Sequence, residues 1–177
     1  ALKLATNKIQ VKGSIDLTGG QIAFPATQSA SSDANTLDDY EVGVHEVTIT
    51  DGSSGTWTTT GTDGYLNYTK IGDLVHVAGF IATNNESGSP SGGIVLSLPF
   101  TAVTGLTEAA EYQYGFSAIS HHGANVTNQA TNYAYIIPNT ATFQLNYITF
   151  DGTPNNFTGS VIDETLRIYV GFSYRSA

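Results

Sequence analysis

The chain contains no cysteine, which excludes disulfide bonds, thiolate metal ligands and thiol nucleophiles. No run of 18 apolar residues occurs either, and a membrane-spanning helix would need one, so we expect no membrane insertion. Lysine and arginine are scarce, whereas threonine, serine, asparagine and glycine are abundant. This composition favours strands joined by tight turns over long helices. The hydrophobic residues, 40% of the 177, still suffice for one core.

Positive charge is nearly absent from most of the chain. Lys3, Lys8 and Lys12 make up half of the six basic residues, and from residue 13 onward three basic residues stand against 15 acidic ones. An acidic body repels phosphate backbones. We therefore expect no nucleic-acid partner.

Apolar and polar residues alternate with a period of two near the N-terminus. Ile9, Val11, Ile15 and Leu17 share one parity, which is typical of a strand with one buried face. The strand could be an edge strand of the main domain, or a stem whose apolar face is buried by other copies of the chain. We favour the stem, because this face has no obvious partner within its own chain.

A small, polar and aperiodic linker follows over residues 26–37. It divides the chain into an extended β stem with its linker, residues 1–37, and a head domain, residues 38–177. The head alternates strand-like segments with turn clusters. Roughly eight or nine strands at this spacing predict an all-β fold for the head, an antiparallel β-sandwich that is jelly-roll-like.

The clearest strand of the head covers residues 166–174, where every second residue is apolar, and we expect it to be a central strand. Glycine-rich clusters at 51–55 and 61–64 predict turns rather than calcium sites. The longest polar segments, 84–93 and 121–132, predict loops.

Four segments of the chain follow one another in the order found in a family of virion proteins. They are residues 19–28 (GGQIAFPATQ), 35–43 (NTLDDYEVG), 68–79 (YTKIGDLVHVAG) and 96–100 (LSLPF). In combination they resemble the C-terminal modules of tail fibres and tail spikes of tailed phages. The resemblance covers residues 13–100.

This resemblance implies a homotrimer in the virion tail, with a distal β-sandwich that contacts a host surface and with other virion tail proteins as further partners. One departure concerns the first strand of the head. After Gly43 the family continues into a Thr-Trp-Thr-Pro-like strand, whereas this chain has VHEV at residues 44–47. We therefore expect this strand to pack differently.

Residues that could carry catalysis or bind a metal ion are few. His121 and His122 are adjacent, so a regular strand would turn them to opposite faces and they could not hold one metal ion together. Acidic doublets at 38–39 and 163–164 would support glycoside hydrolysis only if two carboxylates faced each other at about 5–10 Å. No Gly-x-Ser-x-Gly motif occurs. We predict no catalytic residue, no metal site and no cofactor.

Tyrosines and amide side chains concentrate in the C-terminal half of the chain. Sugar binding needs flat apolar ring faces with amides and hydroxyls at the rim. Recognition groups of all-β modules usually sit on loops, and tyrosines flank the segment 121–132. The predicted ligand-binding residues are His121, His122, Asn125, Asn128 and Tyr133. The alternative that these tyrosines are core or subunit-interface residues stays open, and we expect Trp57 in the core.

Together these features predict a protein that attaches a virion to a host-cell surface receptor, either a glycan or another outer-membrane receptor, by non-covalent multivalent binding. A purely structural trimerisation or capping domain is the alternative. A glycan depolymerase is a third hypothesis, although we do not expect an enzyme.

Overall fold

The computed structural model of the protein describes residues 18–23, 40–51, 55–87, 91–104, 113–115, 120–124, 129–158 and 162–177. Within these ranges the chain forms eleven β-strands and no helix, and every strand pairing is antiparallel. The prediction of an all-β, antiparallel fold is therefore confirmed. Over the same ranges there is no helix able to span a membrane.

The eleven strands differ greatly in length. They are β1 Tyr40–Glu46, β2 Ile49–Thr50, β3 Thr56–Ile71, β4 Leu74–Ser87, β5 Val95–Ser97, β6 Gln113–Gly115, β7 Ser120–Ala124, β8 Gln129–Ile137, β9 Thr142–Thr149, β10 Pro154–Asn156 and β11 Ile162–Arg175. Hydrogen bonds join them in the order β6-β8-β9-β5-β2-β3-β4-β11-β7, with β1 beside β3 and β10 beside β9.

The sheet folds over on itself, so that strands far apart in the hydrogen-bonded order face each other. Four strands separate β9 from β11 in this order, yet the rings of Phe143 on β9 and Phe172 on β11 lie 5.2 Å apart between centroids. The Tyr174 hydroxyl of β11 donates a hydrogen bond to the carbonyl of Phe100, which follows β5 in the chain. Side chains from distant strands thus meet in one core, an arrangement consistent with the predicted β-sandwich.

Alternating residues of the long strands build this core. In β11 the predicted apolar face is buried along its whole length, with no side chain more than 5% exposed: Leu166, Ile168, Val170, Phe172 and Tyr174. The strand lies between β4 and β7, so its predicted central position is confirmed. Trp57 of β3 is also buried in this core, as predicted.

The turn predicted at residues 61–64 is wrong. β3 continues through this segment and pairs with β4 on both sides of it. Between Thr59 and Gly64 the register is irregular, with more residues on β3 than on β4. A strand can absorb extra residues as a bulge, and here one partner strand holds both flanks of the glycine-containing segment.

Two segments predicted as loops contain strand residues. The loop predicted at 84–93 begins later, since β4 continues to Ser87. The loop predicted at 121–132 is wrong at both ends, because β7 extends to Ala124 and β8 begins at Gln129. β7 ends the strand order and pairs only with β11 among the described strands, and an edge strand tolerates a polar sequence.

The side chain of Asp51 connects two loop segments of the head through hydrogen bonds. Asp51 is buried, with 2% of its surface exposed. Its carboxylate accepts hydrogen bonds from the backbone N–H groups of Gly55 (2.8 Å), Ser91 (2.7 Å) and Gly92 (3.0 Å). A buried carboxylate is stable in a protein when such charge-assisted hydrogen bonds compensate its lost hydration. This geometry agrees with the prediction that the cluster at 51–55 serves turn formation.

Of the predicted stem and linker, the structure describes residues 18–23, where Gly19 adopts a positive φ of 74° in a turn. The remainder of the stem and linker lies outside the described residues.

Candidate functional site

Four residues form a row across the outer face of the sheet that contains β1, β3, β4 and β11. The register pairs Glu46 with Tyr65, Tyr65 with Phe80, and Phe80 with Tyr169. Directly opposite residues on neighbouring strands share one face of a sheet. We call Tyr65, Phe80 and Tyr169 the aromatic row.

Alternation along each strand places the aromatic row on the outside. Leu66, Ile81 and Ile168, each a sequence neighbour of one of the three aromatic residues, are fully buried. Successive residues of a strand point to opposite faces. The outward position of the aromatic row is therefore a consequence of the same alternation that builds the core.

The aromatic row presents ring surface and hydroxyl groups to solvent. The ring centroids of Phe80 and Tyr169 lie 4.7 Å apart with 35° between the ring planes, and Tyr169 is 53% exposed. Tyr65 and Phe80 are half-buried. Neither tyrosine hydroxyl of the row forms a hydrogen bond with any part of the chain that the structure describes. As far as the described residues show, the two hydroxyls and the exposed ring surface of Tyr169 are available to a ligand.

Polar side chains border the aromatic row. Glu46 is exposed at its β1 end, Asn67 is exposed on the same face of β3, and Arg167 is exposed two residues before Tyr169 on β11. Neighbouring strands lie about 4.8 Å apart, so the distance from Glu46 across to Tyr169 is three strand spacings, about 14 Å. A surface of this length suits an extended ligand.

This combination of groups fits carbohydrate chemistry. The C–H faces of sugar rings stack on aromatic rings, and sugar hydroxyls form hydrogen bonds with amide, carboxylate and guanidinium groups at the border. Glu46 and Arg167 carry opposite charges, so the face is locally balanced although the chain carries a net charge of −9. A neutral glycan would meet no electrostatic penalty here.

Tyr133, one of the sequence-predicted ligand residues, lies away from the aromatic row. It is half-buried on β8 and stands opposite Asn146 of β9, which stands opposite Asn156 of β10. β8 pairs with β6 and β9 and with neither β7 nor β11. Tyr133 therefore belongs to a second row of aromatic and amide residues, on other strands of the fold.

The two predicted histidines lie on β7, beside the strand that carries Tyr169. The register places His121 opposite Ile168 and His122 opposite Arg167. The side chains of His121 and His122, and the whole of Asn125 and Asn128, lie outside the described residues. The strand pairing thus places the His122 position on the face of the aromatic row and the His121 position on the opposite face, that of buried Ile168. Tyr133 lies on other strands.

Sequence reasoning misses the aromatic row because it places ligand contacts on loops. A signal for Tyr169 exists, since this tyrosine has the outward parity of the segment 166–174. The hairpin of β3 and β4, joined by residues 72–73, could have indicated that Tyr65 stands beside Phe80. No comparable signal shows that Tyr169 stands beside Phe80, because that depends on the register between β4 and β11, which are distant in the chain.

A serine–histidine pair joins β1 to β5. His45 Nε2 lies 2.9 Å from Ser97 Oγ, and Ser97 Oγ also accepts a hydrogen bond of 2.9 Å from the backbone N–H of Thr48. A nucleophilic serine needs N–H donors that stabilise the oxyanion, but the Thr48 N–H is bonded to the serine itself. We interpret the pair as a structural link.

Acidification should weaken this link, because burial lowers the pKa of His45 below its usual value of 6.5, although the hydrogen bond with Ser97 and the charge of Glu46 oppose the shift. A histidine with a lowered folded-state pKa stabilises the fold above its unfolded pKa, and this contribution is lost as the pH falls through the folded value. The free energy of unfolding should therefore decrease more between about pH 7 and about pH 5 in the wild type than in His45→Gln.

Urea unfolding followed by the fluorescence of Trp57 measures this pH dependence. Glutamine keeps a hydrogen-bonding partner for Ser97 without titrating in this range, so His45→Gln isolates the charge effect. His76→Gln is the matched control, since His76 is exposed and contacts the hydroxyl of Ser173 at 3.1 Å. Identical pH slopes in the wild type and His45→Gln would contradict the prediction.

A second polar cluster surrounds Phe100. The Tyr68 hydroxyl donates a hydrogen bond to the Glu41 carboxylate, which raises the pKa of Tyr68 to about 12. The Tyr68 ring packs edge-on against the Phe100 ring, with 5.2 Å between the two centroids. The ammonium group of buried Lys70 lies 5.5 Å from the centroid of the Phe100 ring. Cation–π and aromatic contacts of this kind stabilise a fold, and we assign the cluster to structure.

No group of three or more potential metal-ligating side chains comes together in the described ranges. The acidic doublet at 38–39 lies outside the described residues, as do the side chains of the doublet at 163–164. Comparisons of the chain with protein-family models, with curated proteins and with solved structures found no match. The candidate site therefore rests on the geometry of the aromatic row.

Proposed function

We propose that this protein is a non-catalytic recognition module that attaches a virion to a neutral glycan on the host-cell surface. The observation that carries the proposal is the aromatic row, in which three aromatic side chains from three neighbouring strands align on the outer sheet face and neither tyrosine hydroxyl has a hydrogen bond within the described part of the chain. The resemblance of residues 13–100 to tail-fibre and tail-spike modules supports the setting, the distal end of a fibre or spike. A jelly-roll-like sandwich and a trimeric assembly belong to the same proposal.

The charge of the chain narrows the ligand class. A net charge of −9 disfavours phosphorylated or otherwise polyanionic glycans, whereas neutral sugar rings need only stacking surface and hydrogen-bonding groups. A flat, open row of aromatic side chains encloses little of a ligand, so one site should bind weakly, at about millimolar strength. Several identical sites on one fibre would then supply the avidity that attachment requires.

Removing two rings of the aromatic row tests the proposal. The double variant Tyr65→Ala/Tyr169→Ala loses two stacking surfaces of roughly 1 kcal/mol each, so we expect a single site to weaken about 30-fold. Binding to neutral glycans and to whole host cells should be measured with the purified oligomer, together with its molar mass and circular dichroism.

Two single variants serve as controls in this experiment. Tyr133→Ala probes the site predicted from sequence on other strands, and Phe150→Ala removes an aromatic ring that is 75% exposed elsewhere. We expect both to bind like the wild type. If Tyr133→Ala abolished binding while the double variant kept it, the ligand site would lie on β8. If the folded wild type bound neither glycans nor cells, the structural capping role would replace the proposed function.

A further inference from the structure

Beyond the aromatic row, the same sheet face becomes aliphatic. Five exposed apolar residues lie there, and because four of them are aliphatic we call them the aliphatic patch: Tyr40, Val42, Val44, Ile71 and Leu74. Val42 and Val44 are 60% and 61% exposed. The register places Ile71 between Tyr40 and Leu74, and residues two apart on β1 share its face. The patch is therefore continuous across β1, β3 and the start of β4.

The aliphatic patch is unusual for a surface that stays in water. It holds five of the eight large hydrophobic side chains that are exposed in the described part of the chain, so exposed apolar area is concentrated rather than scattered. Concentrated apolar area on a soluble protein marks an interaction site. Four of its five residues are valine, isoleucine or leucine, which offer neither flat rings nor hydrogen-bonding groups. Only Tyr40 could extend the glycan chemistry of the aromatic row, and it lies at the far end of β1.

The place of the patch in the chain points to its occupant. β1 begins at Tyr40, shortly after the predicted linker at residues 26–37. The alternating segment of the predicted stem precedes this linker. If that segment assembles with its counterparts, a linker of this length keeps the heads within roughly 20 Å. Tethering at such distances raises the effective concentration of one head for another into the millimolar range.

Charge favours the same occupant. Two copies of a chain with a net charge of −9 repel each other wherever their charged surfaces meet, so they can associate closely only through uncharged surface. None of the five patch residues is charged. β1 also pairs only with β3 among the described strands, and its sequence YEVGVHE contains neither the lysine nor the proline that commonly protects an exposed edge.

We propose that the aliphatic patch packs against another copy of this chain, so that the head contributes to assembly together with the N-terminal stem. None of the five patch residues belongs to the aromatic row, although Val44 stands opposite Asn67, which borders that row. The two proposals are tested by separate measurements, the molar mass of the assembly and the binding of glycans. Failure of glycan binding would therefore leave the contact between copies standing, and failure of that contact would leave the glycan site standing.

Because these 177 residues contain no cysteine, single introduced thiols allow a direct test with this chain. In Val44→Cys, a short bismaleimide should link copies at micromolar concentration, because the introduced thiols lie at the contact. Phe150→Cys places a thiol at a comparably exposed apolar position outside the patch, and we expect at least tenfold less cross-linking. The double variant Val42→Lys/Val44→Lys should assemble more weakly than the wild type, so that light scattering detects its dissociation at a concentration at least tenfold higher.

Three results would overturn the proposal. The first is a wild type that stays monomeric at 10 to about 100 µM, a range in which tethered or obligate assemblies persist. The second is an oligomer in which Val44→Cys cross-links no better than Phe150→Cys. The third is a monomer whose Val44→Cys thiol reacts slowly with maleimide, which would place the N-terminal segment of the same chain on the patch. Circular dichroism and urea unfolding of each variant exclude misfolding as the cause.

Discussion

Replacing Val170 with aspartate should lower the free energy of unfolding by about 3 kcal/mol or more. Val170 is 5% exposed in the middle of β11 and stands opposite Gly79 of β4. Its inward neighbours on the same strand, Ile168 and Phe172, are also buried. A carboxylate at this position would lose its hydration without gaining an ion pair from these apolar surroundings, and the variant should be largely unfolded if the wild type is of ordinary stability.

The measurement is urea unfolding at one fixed protomer concentration, since assembly adds to apparent stability. Trp57, the only tryptophan, is buried in the same core and reports its exposure to solvent. Ser173→Asp is the matched control, because Ser173 is exposed on the opposite face of the same strand. We expect the control to change stability by no more than about 0.5 kcal/mol. A similarly small change in Val170→Asp would show that this face of β11 is not core.

The core was predictable from the sequence because burial follows local alternation. In β11 five apolar residues with a period of two determine both the strand and its buried face, without reference to any other part of the chain. For the all-β class, the abundance of threonine, serine, asparagine and glycine favoured strands and turns, and the strand-like segments separated by turn clusters completed the prediction.

The irregular segment of β3 shows a limit of predictions made from local sequence. Glycine and aspartate at residues 61–64 have the chemistry of a turn, and a local prediction must treat them so. In the structure the flanking segments pair with one long partner, β4, and the backbone hydrogen bonds on both sides outweigh the local preference. Only knowledge of how far the β3–β4 hairpin extends could have distinguished a bulge from a turn.

The candidate site was less predictable than the fold. The aromatic row joins residues of β3, β4 and β11, and Tyr65 and Tyr169 are more than one hundred positions apart in the chain. A single sequence gives the parity of each residue on its own strand but not the register between strands that lie far apart in the chain, such as β4 and β11. The assumption that recognition groups lie on loops also overlooks the outer face of a sheet, which a two-layer fold leaves open to solvent.

Replacing Asp51 with alanine should lower the free energy of unfolding by about 3 kcal/mol, since the buried carboxylate accepts three backbone hydrogen bonds. Alanine would leave the N–H groups of Gly55, Ser91 and Gly92 without their acceptor, and the two loop segments would separate. Asp51→Asn should cost nearly as much, because an amide nitrogen would face N–H donors. The control is Asp73→Asn.

Asp73 suits this comparison because its carboxylate contacts Arg175 at 3.3 Å in an exposed ion pair, which contributes little. Urea unfolding of the three variants should therefore show losses of about 3 kcal/mol for both Asp51 variants and of no more than about 0.5 kcal/mol for Asp73→Asn. Hydrogen exchange adds a local readout, since the amides of Gly55, Ser91 and Gly92 should lose protection in Asp51→Ala before the rest of the head does. Unchanged protection at these amides would mean that the loops are held by contacts other than the Asp51 carboxylate.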